Sequence, residues 1–187
     1  VSLEVVAPTE EMRQMKVLVA YESVHGSTRS IAENIARSLA AHFQVTTRPM
    51  RETDDLSAFD AFVLGSAERG RTWVPQANEF LRHHTDQLTG KPVWLFSVGV
   101  SGAMPRPLRR VVREREEREL VLSTPAGLQP RGRRVFTGMV RRDWLSSRGD
   151  RLWLSIGREH DRDLRAWPEI MSWAQEIAAA LEAPVAS

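Results

Sequence analysis

Lys16-Val17-Leu18-Val19-Ala20-Tyr21-Glu22-Ser23-Val24-His25-Gly26-Ser27-Thr28 is the stretch that decides the fold. Residues 17–20 are a short apolar run of the kind that forms a buried parallel strand. Behind it, Ile31, Ile35 and Leu39 recur at helical spacing, with Ala32, Ala36 and Ala40 beside them. The hydroxyl-rich loop with Gly26 therefore joins the carboxyl end of a strand to the amino end of a helix. Backbone N–H groups at a helix start have no intrahelical acceptor, and the helix dipole favours an anion there. Small residues let a phosphate approach closely, at the edge where open α/β sheets take their ligands. The loop holds no lysine, which excludes a Walker loop, and has one glycine, which excludes a dinucleotide fingerprint. A terminal phosphomonoester fits it better than a triphosphate. The plainer alternative is an ordinary strand–helix turn with Ser27 or Thr28 as the N-cap.

Working outward, the chain alternates strand and helix. Strands are expected at residues 16–21, 44–48, 61–64 and 93–98, and helices at 28–42 and 75–88, with Pro75 suited to a first turn. Asp54-Asp55-Leu56 reads as an acidic turn and Gly90-Lys91-Pro92 as a stop. Such alternation implies a doubly wound parallel sheet. Residues 108–122 read as a solvated helix laced with pairs such as Arg113–Glu117, Glu114–Arg118 and Arg115–Glu119. A fifth strand is expected at 134–140 and a partly apolar helix at 143–156. A final helix carries Trp167, Ile170, Met171, Ala174, Ile177, Ala178 and Leu181 on one face. Residues 1–14 read as an extension, with Met12 and Met15 as alternative starts, and residues 15–183 as a single domain.

Composition narrows the function. The chain of 187 residues has a formal charge of +2 and no cysteine. Thiol catalysis, disulfides and thiolate metal sites are excluded, so redox chemistry requires a bound cofactor. The basic isoelectric point reflects scarce groups titrating above neutrality rather than a basic surface, and nucleic acid is not indicated. No apolar run reaches the length of a membrane span and no signal sequence is visible, so a cytoplasmic protein is expected, with membrane contact at most peripheral.

In a parallel sheet the carboxyl ends lie together, so the loops after the first, third and fourth strands converge. The second loop contains Gly65, Ser66, Ala67, Glu68, Arg69, Gly70 and Trp73; the third contains Ser97, Val98 and Gly99. A phosphate cradle flanked by two small-residue loops suits a ligand with a phosphate at one end and a flat heterocycle at the other.

These residues, with residues 59–67, 79–84, 92–99, 134–138 and 163–173, resemble the flavodoxin superfamily, in the branch related to quinone-dependent protoporphyrinogen oxidase. The resemblance spans about residues 16–181. It implies a flavodoxin-like, doubly wound α/β fold with a five-stranded parallel sheet in order 2-1-3-4-5, and noncovalent FMN. It places Ser23, His25, Gly26, Ser27 and Thr28 around the phosphate. It places Ser66, Ala67, Glu68, Arg69, Gly70, Trp73, Ser97, Val98 and Gly99 around the ring. The family commonly has an aromatic residue in the second loop where Arg69 stands here. Losing that stack costs about 0.5–1.5 kcal/mol, too little to empty the site, and Trp73 could supply the missing face. An FMN-dependent oxidoreductase or electron carrier, with a redox partner or quinone and a homodimer left open, is the leading expectation. The alternative is a flavodoxin-fold binding or regulatory protein that has lost the flavin.

No substrate acid or base stands out. His83 and His84 are neighbours on a helix and point apart, which argues against one shared metal. The third strand ends in Gly65-Ser66 rather than an aspartate, excluding a phosphoryl-accepting receiver domain. No G-x-S-x-G elbow or H-E-x-x-H occurs, and His160-Asp161-Arg162-Asp163 reads as a polar loop.

Overall fold

The structure, a computed structural model, describes residues 14–69, 72–104, 106–141 and 161–183. Strand β1 (Lys16–Glu22) is followed by α1 (Ser27–Leu39), β2 (Gln44–Pro49), β3 (Ala61–Arg69) and β4 (Thr72–Trp73). Helices α2 (Pro75–His83) and α3 (Thr85–Leu88) precede β5 (Val93–Gly99) and α4 (Arg106–Leu122). The chain closes with β6 (Gly132–Thr137), β7 (Met139–Arg141), β8 (Asp161–Asp163) and α5 (Trp167–Glu182). Five strands run parallel in the order β2-β1-β3-β5-β6, with β4 folded back antiparallel on β3. Counting only the parallel strands, this is the expected 2-1-3-4-5 order.

Alternating residues of the central strands feed two cores. Val17, Val19, Val63, Trp94, Phe96 and Phe136 meet Ile31 and Ile35 of α1 and Trp173 and Ile177 of α5 on one face. Leu18, Ala20, Phe62, Leu64 and Leu95 meet Phe80 and Leu81 of α2, Leu88 of α3 and Leu120 of α4 on the other. Burial on both faces is why the strands read as unbroken apolar runs. At Gly65 the first core tolerates no side chain, because a methyl group would fall inside the Phe96 ring.

Several boundaries differ from the sequence reading. The helix expected at 75–88 breaks at His84, which is buried; its Nδ1 lies 3.0 Å from the Phe80 carbonyl and its Nε2 3.2 Å from that of Asp54. The third strand runs on to Arg69, because Glu68 and Arg69 pair with Trp73 and Thr72. The fifth parallel strand stops at Thr137, and Asp161–Asp163 is a strand paired with β7 rather than a loop. Of the ion pairs expected on α4, Arg113–Glu117 forms, and Arg110–Glu114 forms in the same i,i+4 spacing. The helix expected at 143–156 lies outside the described residues.

Replacing Gly65 by Ala is predicted to destabilise the fold by about 1–3 kcal/mol through overpacking. Urea denaturation should show a lowered midpoint with an unchanged slope. Pairing the change with Phe96→Leu should restore part of the loss, since the two residues share one contact.

Candidate functional site at the carboxyl edge of the sheet

In-register pairing brings the three loops level. Glu22, the last residue of β1, sits opposite Ser66 of β3, and Ser66 sits opposite Ser97 of β5. The first loop begins at the buried Glu22, whose Oε1 accepts the Arg51 N–H at 3.1 Å. Gly26 is the N-cap of α1, at φ +89. That conformation suits glycine, and nothing lies within 4 Å of where a Cβ would be. The cap is thus a backbone turn rather than a Ser27 or Thr28 side chain. Ser23 Oγ accepts the Gly26 N–H at 3.0 Å and shapes the loop from inside. The first helical hydrogen bond runs from Ser30 N–H to the Gly26 carbonyl, so the Ser27 and Thr28 N–H groups lie ahead of the helical ladder.

The hydroxyls of this loop have structural duties. Ser27 Oγ accepts the Met139 N–H at 3.0 Å, which ties the helix start to β7. Its own hydrogen remains able to donate. Thr28 is only 1% exposed. Ser30 Oγ receives the Arg165 guanidinium at 2.6 Å, and that guanidinium also pairs with Asp163 and lies 4.5 Å over the Trp167 ring. His25 and Val24 are exposed at the loop's tip.

The second loop is a hairpin. Glu68 lies opposite Trp73 and Arg69 opposite Thr72, while Gly70 falls outside the described residues. Trp73 is buried, and its indole N–H donates to Ser97 Oγ at 2.7 Å. Trp73 therefore ties the second loop to the start of the third from the core side. Ser66 Oγ donates to the Ala67 carbonyl and accepts the Val74 N–H. Arg69 is exposed.

The third loop is held by an acid from α4. Glu116 Oε1 accepts the N–H groups of Val100 at 2.9 Å and Ser101 at 3.1 Å. Its carboxylate fills the space a side chain at Gly99 would need. Gly102 N–H donates to Thr137 Oγ1. Ser97 and Val98 are buried within β5. Burial pushes the Glu116 carboxyl upward, against the pull of the Ser101 and Val100 hydrogen bonds. Burial and the neighbouring Glu116 charge push Glu68 up to about 7. Among the described residues, no group of three or more His, Cys, Asp or Glu side chains could hold a metal ion.

The edge thus combines an anion-receptive helix start with two loops tied to each other from below. The flavodoxin domain family matches residues 18–147, which covers every one of these loops. The chain belongs to the flavodoxin domain family. It is similar to oxidised flavodoxin 2 from Bacillus cereus, at 25% identity and a TM-score of 0.53, covering 88% of this chain and 99% of that one. A C101S mutant of flavodoxin from Pseudomonas aeruginosa aligns over 90% of this chain and all of its own, at 18% identity and a TM-score of 0.55. Rubredoxin oxygen:oxidoreductase from Desulfovibrio gigas aligns over 89% of this chain and 36% of its own, at 18% identity and a TM-score of 0.51. The last two likenesses are of fold alone. No curated protein matches the sequence.

Helix α4 brings to this edge an acid that sequence reading misses. Residues 108–122 read as a solvated helix, yet within them Glu116 is 5% exposed and Leu120 is 2% exposed. A faint signal exists: Val112, Glu116 and Leu120 recur at i,i+4, so Glu116 occupies an inward position among charged neighbours. Arg165 and Met139, which touch the first loop and the start of α1, carried no sequence signal, since both arrive from far along the chain.

Stability should respond to Glu68 with a definite sign. Its carboxyl is raised from 4.5 in the free state to about 7 in the fold. The folded protein therefore holds a proton that the unfolded chain releases between these values. That contribution is fully present below about 4.5 and is lost as pH rises through about 7. Against Glu68→Gln, the wild-type thermal midpoint is predicted to fall across this window. Parallel curves for the two proteins would refute it.

Proposed function

We propose that this chain is an FMN-binding, flavodoxin-like electron-transfer domain. The observation that carries the reading is the first loop: a left-handed Gly26 cap sets the Ser27 and Thr28 amides at the start of a helix, beside the open loop tip. The donor set there suits a phosphate dianion, with backbone N–H groups, the Ser27 hydroxyl and the α1 dipole acting together. Ser23, His25 and Gly26 shape and border the cradle. Ser66, Ala67, Glu68, Arg69 and Gly70 of the second loop, and Ser97, Val98 and Gly99 of the third, border the ring. Trp73 supports the ring region from within the core rather than stacking on it.

The bound isoalloxazine would supply the one- or two-electron chemistry that a cysteine-free chain lacks. The chain's residues bind it, exclude water from the core side and set its electrostatic surroundings. Arg69 puts a cation, and Glu68 a titratable acid, on the second loop. A cation there favours the reduced flavin, and an ionised Glu68 opposes it. The resemblance to the protoporphyrinogen oxidase-related branch supports a quinone or a protein as the redox partner. Among the described residues, no helix is long and apolar enough to cross a membrane; we place the domain, residues 15–183, in the cytoplasm.

Titration with FMN and with riboflavin, followed by flavin fluorescence, tests this. Wild type should prefer FMN, since each charge-assisted hydrogen bond to the phosphate contributes about 1.5–3 kcal/mol. Ser27→Ala should weaken FMN roughly tenfold or more while changing riboflavin little. Equal losses would remove the phosphate from this loop. Absence of binding at micromolar FMN, with binding restored by Arg69→Tyr, would favour the flavin-free alternative.

A further inference from the structure

Ser30, on the first turn of α1, is a junction. Its hydroxyl donates to the Gly26 carbonyl at 3.1 Å and the Ser27 carbonyl at 2.9 Å. The same oxygen accepts Arg165 Nη1 at 2.6 Å, which leaves its one hydrogen to those two carbonyls. The guanidinium is fixed along its other edge. Its Nε reaches Asp163 Oδ1 at 2.7 Å, its Nη2 reaches Oδ2 at 2.5 Å, and it lies 4.5 Å over the Trp167 ring. Its side chain is 15% exposed. A second tie runs alongside. Met139, which faces Asp163 across the β7–β8 pair, gives its N–H to Ser27 Oγ. Helix stability does not account for Arg165, because a cation beside the amino end of a helix opposes the dipole. An acid, an aromatic ring and a hydroxyl together hold it there.

We propose that Arg165 is a positioning residue of the first loop, acting through Ser30 on the two peptide groups that would hold a phosphate monoester. The Gly26 carbonyl shares its peptide plane with the Ser27 N–H, and the Ser27 carbonyl shares its plane with the Thr28 N–H. In a trans peptide the carbonyl and the N–H point in opposite directions. A hydroxyl that pins both carbonyls on the helix side therefore aims both amides away from the helix, to where the loop opens. The chain of donors runs from guanidinium to hydroxyl to carbonyl, and each link polarises the next, so both N–H groups become stronger donors. Arg165 thus delivers its charge to the anion through the backbone, without touching it. Residues that lie far along the chain thereby set the selectivity for a doubly charged phosphate over an uncharged end group. The identity of the ligand rests on the flavin reading; the action of Arg165 on the two amides does not.

A double-mutant cycle on FMN and riboflavin affinity tests this. Arg165→Met and Ser30→Ala should each weaken FMN about tenfold or more and change riboflavin by less than about twofold. Because the two act in series, the double variant should bind FMN no worse than the weaker single one, within about twofold. Arg165→Lys keeps the charge but cannot reach Asp163 and Ser30 as a fork, so it should recover only part of the loss; it also serves if Arg165→Met does not fold. Equal losses for the two ligands, additive losses in the double variant, or unchanged FMN affinity would overturn the proposal. Inorganic phosphate, titrated while the Ser27 and Thr28 amides are followed by NMR, separates it from the flavin reading. Phosphate that shifts these amides in wild type and much less in Arg165→Met, with FMN unbound, would count against the flavin alone. Wild type that binds neither FMN nor phosphate would overturn both.

Discussion

Register is the constraint on which this molecule depends. Because β1, β3 and β5 pair in parallel with Glu22, Ser66 and Ser97 abreast, their carboxyl ends finish at one level. Three loops that are far apart in sequence then share one edge. A shift of one residue in β3 would turn its core-facing residues to the opposite face and put Gly65 out of line with Phe96. The bare Cα of Gly65 is therefore a register device as well as a packing one.

Above that edge the loops divide the work. The first loop is built from backbone: a left-handed glycine cap and amides at a helix start, with Ser23 and Ser27 spent on shaping it. A helix start of this kind is receptive to an anion through its free N–H groups and dipole. The second and third loops are held from beneath, by the Trp73 indole on Ser97 and by Glu116 on the Val100 and Ser101 amides. This support comes from the core and from α4, so the second and third loops are held by groups beneath the edge.

The acids give the edge its distinctive electrostatics. Burial raises both Glu68 and Glu116 above the usual carboxylate range. Placing Glu68 near neutrality makes the charge on the second loop a matter of pH rather than a constant. Arg69, exposed next to it, supplies a charge that does not titrate.

The sequence by itself determined the alternation of strands and helices and the hydroxyl-rich loop after the first strand, because these rest on local patterns, while the sheet order came from the resemblance to flavodoxins. Apolar runs of strand length, helical spacing at Ile31, Ile35 and Leu39, and a hydroxyl-rich loop between them are legible within a few residues of one another. It also put Gly26 in that loop, where the cap is its backbone and not a neighbouring hydroxyl. Only the tertiary structure decided what the side chains of that edge do. Trp73 turned inward because β3 continues into a hairpin, a pairing that depends on cross-strand geometry beyond the strand's own pattern. Glu116 sits in a run of Arg and Glu that reads as a solvated helix. Its burial follows from where α4 docks against the third loop and Gly99. The contact between Ser30 and Arg165, like that between Ser27 and Met139, joins residues distant along the chain, and local periodicity carries no information about such contacts.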